Sequence, residues 1–323
     1  MIKDKKILIT GGAGFIGTHM AERLAPYNEV TLLDIDLDGP LRYSPLVHND
    51  QVRKVKADVR DPHAVAEEVS KCQILLHFAA ILGVKQVIDN ARATIDTIVL
   101  GTHNVLEAAR HNPHIERIVN ISTSEVYGNV MDATEGVPAS IGTCNDARLC
   151  YASAKLMGEH LVWAYYRDFQ LPCVIVRPFN IYGPMRTVNH AVGVFIIKAL
   201  NYQNVTLHGD GSQLRSWCYI DDFSDAITSC IEEERAIGQD FNIGNAVTST
   251  TIYDLAQRTI RLTQSHSKII TTPYTFSDIG VRAPNSVKAR DILHYMPKYD
   301  IDSGLELTIE WYRKHLDDFD HWL

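Results

Sequence analysis

The chain has 323 residues, 46% apolar and 22% charged, and its 31 Lys and Arg against 39 Asp and Glu give a net charge of −8. That length allows one large or two medium domains around a sizeable core. The acidic balance argues against a nucleic-acid or membrane-surface binder while leaving room for a local basic pocket, and no window of ~18 apolar residues marks a membrane span.

Met1 to Lys6 leads straight into an apolar run, without the apolar core or small-residue cleavage site of a secretory leader, so the expected location is cytoplasmic. Lys6–Thr10 reads as a buried parallel strand. Gly11, Gly14, Phe15, Ile16 and Gly17 follow in a Gly-x-x-Gly-x-x-Gly turn that opens a helix with Ile16, Met20, Leu24 and Ala25 inward. A tight turn, a close backbone approach to a pyrophosphate and close helix–strand packing each exclude a side chain there, and the helix N-terminus offers N–H groups to phosphate. The next strand, Glu29–Leu33, ends at Asp34, near the place where an acid holds the adenosine ribose hydroxyls. Neither Lys nor Arg follows closely to take a 2′-phosphate, which favours NAD over NADP.

Val52–Ala57 reads as a third strand, with Asp58 and Val59 in the turn after it, and Pro62–Ser70 as a helix. Ile74–Ala80 reads as a strand whose small final residues suit a backbone passing a cofactor. A helix over Ala91–Arg110 and a strand over Ile118–Ile121 come next. Strands alternating with helices predict an α/β fold with a doubly wound, Rossmann-type parallel sheet. Ligands of such sheets sit at the carboxyl ends of the strands, where Thr123, Ser124 and Glu125 fall. Tyr151 and Lys155 stand four apart on the following helix, on one face. A lysine ammonium beside a phenol favours the phenolate, so such a tyrosine can take a proton near neutral pH.

Six cysteines are scattered without a Cys-x-x-Cys pair and no His-x-x-x-His pair occurs, so neither a metal site nor disulfides are expected. Cys150 adjoins Tyr151 and reads as a pocket-wall residue.

Together with His77-Phe78-Ala79-Ala80, Ser122-Thr123-Ser124-Glu125-Val126-Tyr127-Gly128, Tyr151-x-x-x-Lys155 and Arg177-Pro178-Phe179-Asn180-Ile181-Tyr182-Gly183-Pro184, the glycine turn gives an ordered motif set over nearly the whole chain. The chain resembles the extended short-chain dehydrogenase/reductases that modify nucleotide sugars. The resemblance implies a tightly held NAD, bound by Gly11, Gly14, Phe15, Ile16, Gly17, Asp34, Asp58, Val59, Phe78, Ala79, Ala80, Tyr151 and Lys155. It implies Tyr151 as acid/base on the sugar 4-hydroxyl, Lys155 lowering its pKa and binding the nicotinamide ribose, and Thr123 bonding the same hydroxyl. Asn180 and Arg215, with Arg282 nearby, would hold the diphosphate and nucleotide, as guanidinium groups suit phosphate oxygens. Arg177, within a strand, reads as structural.

The shared first step implied is oxidation at C4. Ser124 stands where the family's 4,6-dehydratases usually carry Asp, which disfavours loss of water. Glu125 within Ser-Thr-Ser-Glu-Val-Tyr-Gly, and Arg148 three residues before the Tyr, look more like UDP-glucuronate decarboxylases. Lys85, in Gly83-Val84-Lys85-Gln86, lies where 4-epimerases have Gly-Val-Arg and is a candidate for a substrate carboxylate, as are Ser124 and Arg148 for the sugar. The expected activity is therefore UDP-glucuronate decarboxylation, with UDP-sugar 4-epimerisation as the alternative. A non-catalytic NAD-sensing relative is a third class, which the intact Thr-Tyr-Lys set opposes.

Further helices are expected over Val192–Ala199, Asp222–Glu234, Ile252–Thr263 and Gly304–His315, with strands at Val205–His208 and Phe241–Ile243. The division expected is an NAD-binding domain over 1–180, with about 219–247 interwoven, and a smaller α/β nucleotide-sugar-binding domain mainly over 181–323. Asp317–Asp320 reads as a solvated tail. The apolar positions of the helices from Ala91 and Tyr151 exceed one buried face, and the resemblance implies a homodimer through them.

Overall fold

Apolar runs bounded by glycine or acidic turns become the strands of one parallel sheet. The computed structural model describes residues 2–130, 133–187, 190–273 and 280–322. From the N-terminus run β1 (Lys6–Thr10), α1 (Phe15–Leu24), β2 (Glu29–Asp34), β3 (Arg53–Lys56), α2 (Pro62–Val69), β4 (Ile74–His77), α3 (Val84–Asp89), α4 (Ala91–Arg110), β5 (Arg117–Ile121), α5 (Cys150–Phe169) and β6 (Cys173–Pro178). Next come β7 (Ile181–Tyr182), α6 (Ala191–Leu200), β8 (Val205–His208), β9 (Leu214–Arg215), β10 (Cys218–Tyr219), α7 (Ile220–Glu232) and β11 (Gln239–Ile243). The chain closes with β12 (Thr250–Thr251), α8 (Ile252–Thr263), β13 (Ile269–Thr272), β14 (Val281–Arg282), α9 (Val287–Leu293) and α10 (Ile301–Lys314).

The seven-stranded sheet has the order β11-β6-β5-β4-β1-β2-β3, every neighbouring pair parallel. Successive side chains of a strand point to opposite faces, and the core divides accordingly. Ile7, Ile9, Leu32, Leu76 and Val119 pack on one side, with α1 and α7. Leu8, Leu33, Leu75 and Ile118 pack on the other, with α2, α4 and α5. Burial on both faces is why these strands read as unbroken apolar runs. The strand order reverses between β1 and β4, which places a crevice at their carboxyl ends. β11 enters this sheet from late in the sequence, so the chain crosses back after β7 to β10.

Acid caps set several helix starts. Asp61 accepts from the amides of His63 and Ala64 ahead of α2, with Pro62 in the first turn. Asp300 accepts from Ser303 and starts α10 at Ile301, three residues before the expected Gly304. α7 likewise starts at Ile220 rather than Asp222, which puts Asp221 and Asp222 in its first turn, favourable to the helix dipole. The fourth strand stops at His77, because Phe78 to Ala80 leave the sheet to pass the glycine turn. Gly83 caps the short α3, which starts at Val84, and neither α3 nor α9 is among the expected helices. The tail is not a solvated end at Phe319, which is 1% exposed and packs against Tyr43, Trp311 and Tyr312; the Asp320 side chain lies outside the described residues.

Candidate active site

The glycine turn fits a dinucleotide by elimination of side chains. Gly11 has φ +67°, and a Cβ there would lie 2.8 Å from the backbone nitrogen of Ala79. A Cβ on Gly17 would collide with the Gly11 carbonyl. Gly14 caps α1 with no side-chain hydrogen bond, which leaves the helix N-terminus to a ligand. Asp34 ends β2 and its Oδ2 accepts from Ala13 N at 3.0 Å, so the carboxylate sits against the turn. Burial raises its pKa, opposed by the amides of Asp36, Ala13 and Ile35. Asp58 is held low, chiefly by its hydrogen bonds with Arg60, and Val59 is buried against Gly101 of α4. Phe78, Ala79 and Ala80 line the edge beyond β4. Just inside them His77 bridges Thr10 Oγ1 at 2.7 Å and Thr102 Oγ1 at 3.2 Å. Burial, then the Lys155 charge, push this histidine down to about 3.

The turn after β5 begins a short 3₁₀ segment, Ser124–Tyr127, capped by Thr123, whose Oγ1 accepts from Glu125 N. The Thr123 hydroxyl also acts on the Tyr151 phenol of α5, favouring its ionised form. The two predicted partners therefore meet. The third departs from expectation. Lys155 turns its ammonium to the Ile121 carbonyl at 2.6 Å, and burial pushes it down to about 8. The Tyr151 phenol is raised rather than lowered, first by burial and then by the Glu125 charge, against the Thr123 bond and the cations Arg186 and Arg282. The expectation overlooked desolvation, which dominates for this half-buried phenol.

Arg282 lies 3.3 Å from the Glu125 carboxylate, and on β14 it stands opposite Arg215 of β9. Arg215 is buried and donates to the Leu214 carbonyl. Asn180, held at φ +44°, donates to the Ser216 carbonyl at 2.8 Å, which fastens the turn after β6 to the β9–β10 segment. Ser124 is buried beside Glu125. Arg148 lies half-buried in a 3₁₀ turn before α5, its amide on Asp146. Lys85 stands apart, 88% exposed and paired with Asp89 along α3. The Cys150 thiol contacts the Ala91 carbonyl and is raised by burial.

Two features escaped the sequence reading. Arg186 is packed over the Phe15 ring, lowered by burial, and acts on Tyr151. Glu159 pairs with Arg177, whose structural placement agrees with expectation. The only cue to Glu159 was its place one turn beyond Lys155. Among the described residues no cluster of His, Cys, Asp and Glu forms a metal site, and no helix is long and apolar enough to cross a membrane.

Fold and site together define a dinucleotide-binding α/β protein with a Thr–Tyr pair over a buried lysine at the carboxyl edge of its sheet. The chain belongs to the NAD dependent epimerase/dehydratase family, whose model matches residues 7–244, and its cofactor is NAD. It is 34% identical over 322 residues to UDP-N-acetyl-alpha-D-glucosaminuronate decarboxylase of Bacillus cytotoxicus, covering 96% of this chain and 98% of the relative. It is 30% identical to human dTDP-D-glucose 4,6-dehydratase, covering 98% and 92%. A solved UDP-glucuronic acid 4-epimerase from Bacillus cereus, in complex with UDP-glucuronic acid and NAD, superposes with a TM-score of 0.87 at 26% identity, covering 96% and 99%. These likenesses support an NAD-dependent enzyme that modifies nucleotide sugars.

Proposed function

We propose that this chain oxidises C4 of a UDP-linked uronic acid and then decarboxylates it, with UDP-glucuronate as the first substrate to try. The observation that carries this reading is the Glu125–Arg282 pair beside Tyr151, a carboxylate and a guanidinium at the reacting end of the cleft. The decarboxylase relative supports it.

In this reading Gly11, Gly14, Phe15, Ile16 and Gly17 cradle the NAD pyrophosphate and Asp34 takes the adenosine ribose. Asp58, Val59, Phe78, Ala79 and Ala80 line the rest of the cofactor site. NAD supplies a hydride acceptor for C4. Thr123 holds the 4-hydroxyl, and Tyr151 takes its proton. A phenol raised by burial readily holds that proton, and Lys155, charged near neutral pH, favours the phenolate in the loaded site. Asn180 and Arg215 hold the diphosphate, with Arg282 at its sugar end. Once C4 is a ketone, the C5 carboxylate is β to it. The bond from C5 to that carboxylate breaks, CO2 leaves, and the electron pair passes to the ketone as an enolate. C5 then takes a proton. Glu125 positions the ring or relays that proton, and Ser124 and Arg148 line the sugar site.

Residues 1–180 with 219–247 form the cofactor part and 181–323 mainly the nucleotide-sugar part. A cytoplasmic homodimer through α4 and α5 completes the proposal. It is supported by Ile95, Leu100 and Met157, each 42–49% exposed on these helices.

Incubation with UDP-glucuronate, UDP-N-acetylglucosaminuronate and UDP-glucose, followed by mass spectrometry and NMR, tests the reaction. Loss of one CO2 from a uronate is expected. Inversion at C4 with unchanged mass would replace decarboxylation by 4-epimerisation.

A further inference from the structure

Glu159 is a buried carboxylate on the helix that carries Tyr151 and Lys155, and the mechanism above makes no use of it. Its Oε1 accepts from Ser122 Oγ at 2.5 Å and from Arg177 Nε at 2.8 Å, and its Oε2 from Arg177 Nη2 at 2.6 Å. Arg177, on β6, also reaches Asp240 of β11 at 2.8 Å and the Tyr127 hydroxyl at 2.7 Å. That hydroxyl donates to Asn242 at 2.8 Å. Lys155 grips the Ile121 carbonyl, and Glu159 grips Ser122, the next residue. Two consecutive turns of α5 thus clamp the end of β5 immediately before Thr123.

We propose that Glu159 is a positioning residue for the redox centre: held by Ser122 and Arg177, its carboxylate keeps Lys155 an ammonium at the end of β5, beneath Thr123 and Tyr151. This rests on the roles proposed above for Tyr151 and Lys155. A lysine with so little solvent needs a nearby negative charge to stay protonated at neutral pH. The groups around Lys155 leave few sources of one. β4 presents His77, neutral between Thr10 and Thr102, and β5 presents the Ile121 carbonyl. α5 presents Tyr151 on one side and Glu159 on the other. Glu159 is the charge that opposes the desolvation of Lys155. Around Glu159, Arg177 is shared with Asp240, and Asp240 is paired with Lys288 at 2.7 Å. Glu125, Arg186 and Arg282 act on Tyr151 from the cleft side.

The sign is definite. Without the Glu159 charge, the ammonium gives up its proton at lower pH. Removing Glu159 alone leaves Arg177 with Asp240 as its remaining carboxylate, and a buried charge that loses a partner destabilises, whereas removing both partners is often neutral. The test therefore uses Glu159→Gln and the double variant Glu159→Gln/Arg177→Met, with Glu159→Asp as the conservative control. The ¹³Cε NMR signal of Lys155 followed across pH, assigned by its loss in Lys155→Arg, reads the ionisation midpoint of Lys155 in the NAD-loaded and NAD-free protein.

In both Gln variants the midpoint is expected about half a pH unit or more below that of the parent, with the Asp variant close to the parent. An unchanged midpoint in either folded Gln variant would overturn the proposal. Turnover of the uronates is scored separately. A shifted midpoint in a protein that releases no CO2 refutes the decarboxylase assignment and leaves Glu159 in its role. CO2 release with an unshifted midpoint does the reverse.

Discussion

The Glu125 carboxylate lies 3.3 Å from the Arg282 guanidinium, joining the turn after β5 to β14. Glu125 also presses a negative charge on Tyr151 while Arg282 relieves it. Glu125→Gln should therefore let Tyr151 ionise at lower pH while slowing decarboxylation by about ten- to a hundredfold, the scale of one charged hydrogen bond. Rates of CO2 release across pH check both effects. An unchanged rate and profile would remove Glu125 from the chemistry.

Tyr151→Phe keeps the ring and loses the proton acceptor. Turnover is expected to fall by about 10²- to 10⁴-fold, the range for a general acid or base, with NAD binding retained in calorimetry. Turnover near the parental rate would move the proton transfer to another group.

Asp34, with its Oδ2 on the Ala13 amide, holds the position for a ribose diol. Asp34→Ala should weaken NAD by about ten- to a hundredfold and narrow the preference over NADP, measured by titrating both cofactors. Equal loss for the two would argue that the carboxylate only shapes the turn.

His77 gives a stability test. Its ordinary value is 6.5, and burial takes it to about 3. The unfolded chain therefore binds the extra proton first as pH falls. The neutral histidine's contribution is full above 6.5 and lost between 6.5 and about 3, at ~1.4 kcal/mol per pH unit. Replacing it by Gln should flatten urea-unfolding stability against pH by one proton in that window. An equally steep acid limb would assign the loss to other groups.

Much of this site was legible because its signals are local. A Cβ on Gly17 would meet the Gly11 carbonyl within the same turn, and the spacing of Tyr151 and Lys155 follows from helix geometry alone. What the sequence hid depends on distant partners. Whether Lys155 faces Tyr151 or the Ile121 carbonyl is decided by β5, and the direction of the Tyr151 shift by the side chains packed around it. Arg186 and Glu159 gain meaning only from Phe15 and Arg177, brought to them by the fold. Phe319 sits in an acidic tail whose composition reads as solvated, yet Tyr43, Trp311 and Tyr312 bury it. The short α3 carries Lys85 outward in a stretch too brief for periodicity to show.

Oxidation at C4 is common to decarboxylation and epimerisation, so it is the central claim. A single-turnover reaction with UDP-glucuronate deuterated at C4 tests it most directly, with the cofactor recovered after rapid quenching. A several-fold slower reaction than with the unlabelled sugar is expected, with deuterium on the recovered reduced cofactor. Product formed with no isotope effect and no deuterium on the cofactor would contradict it.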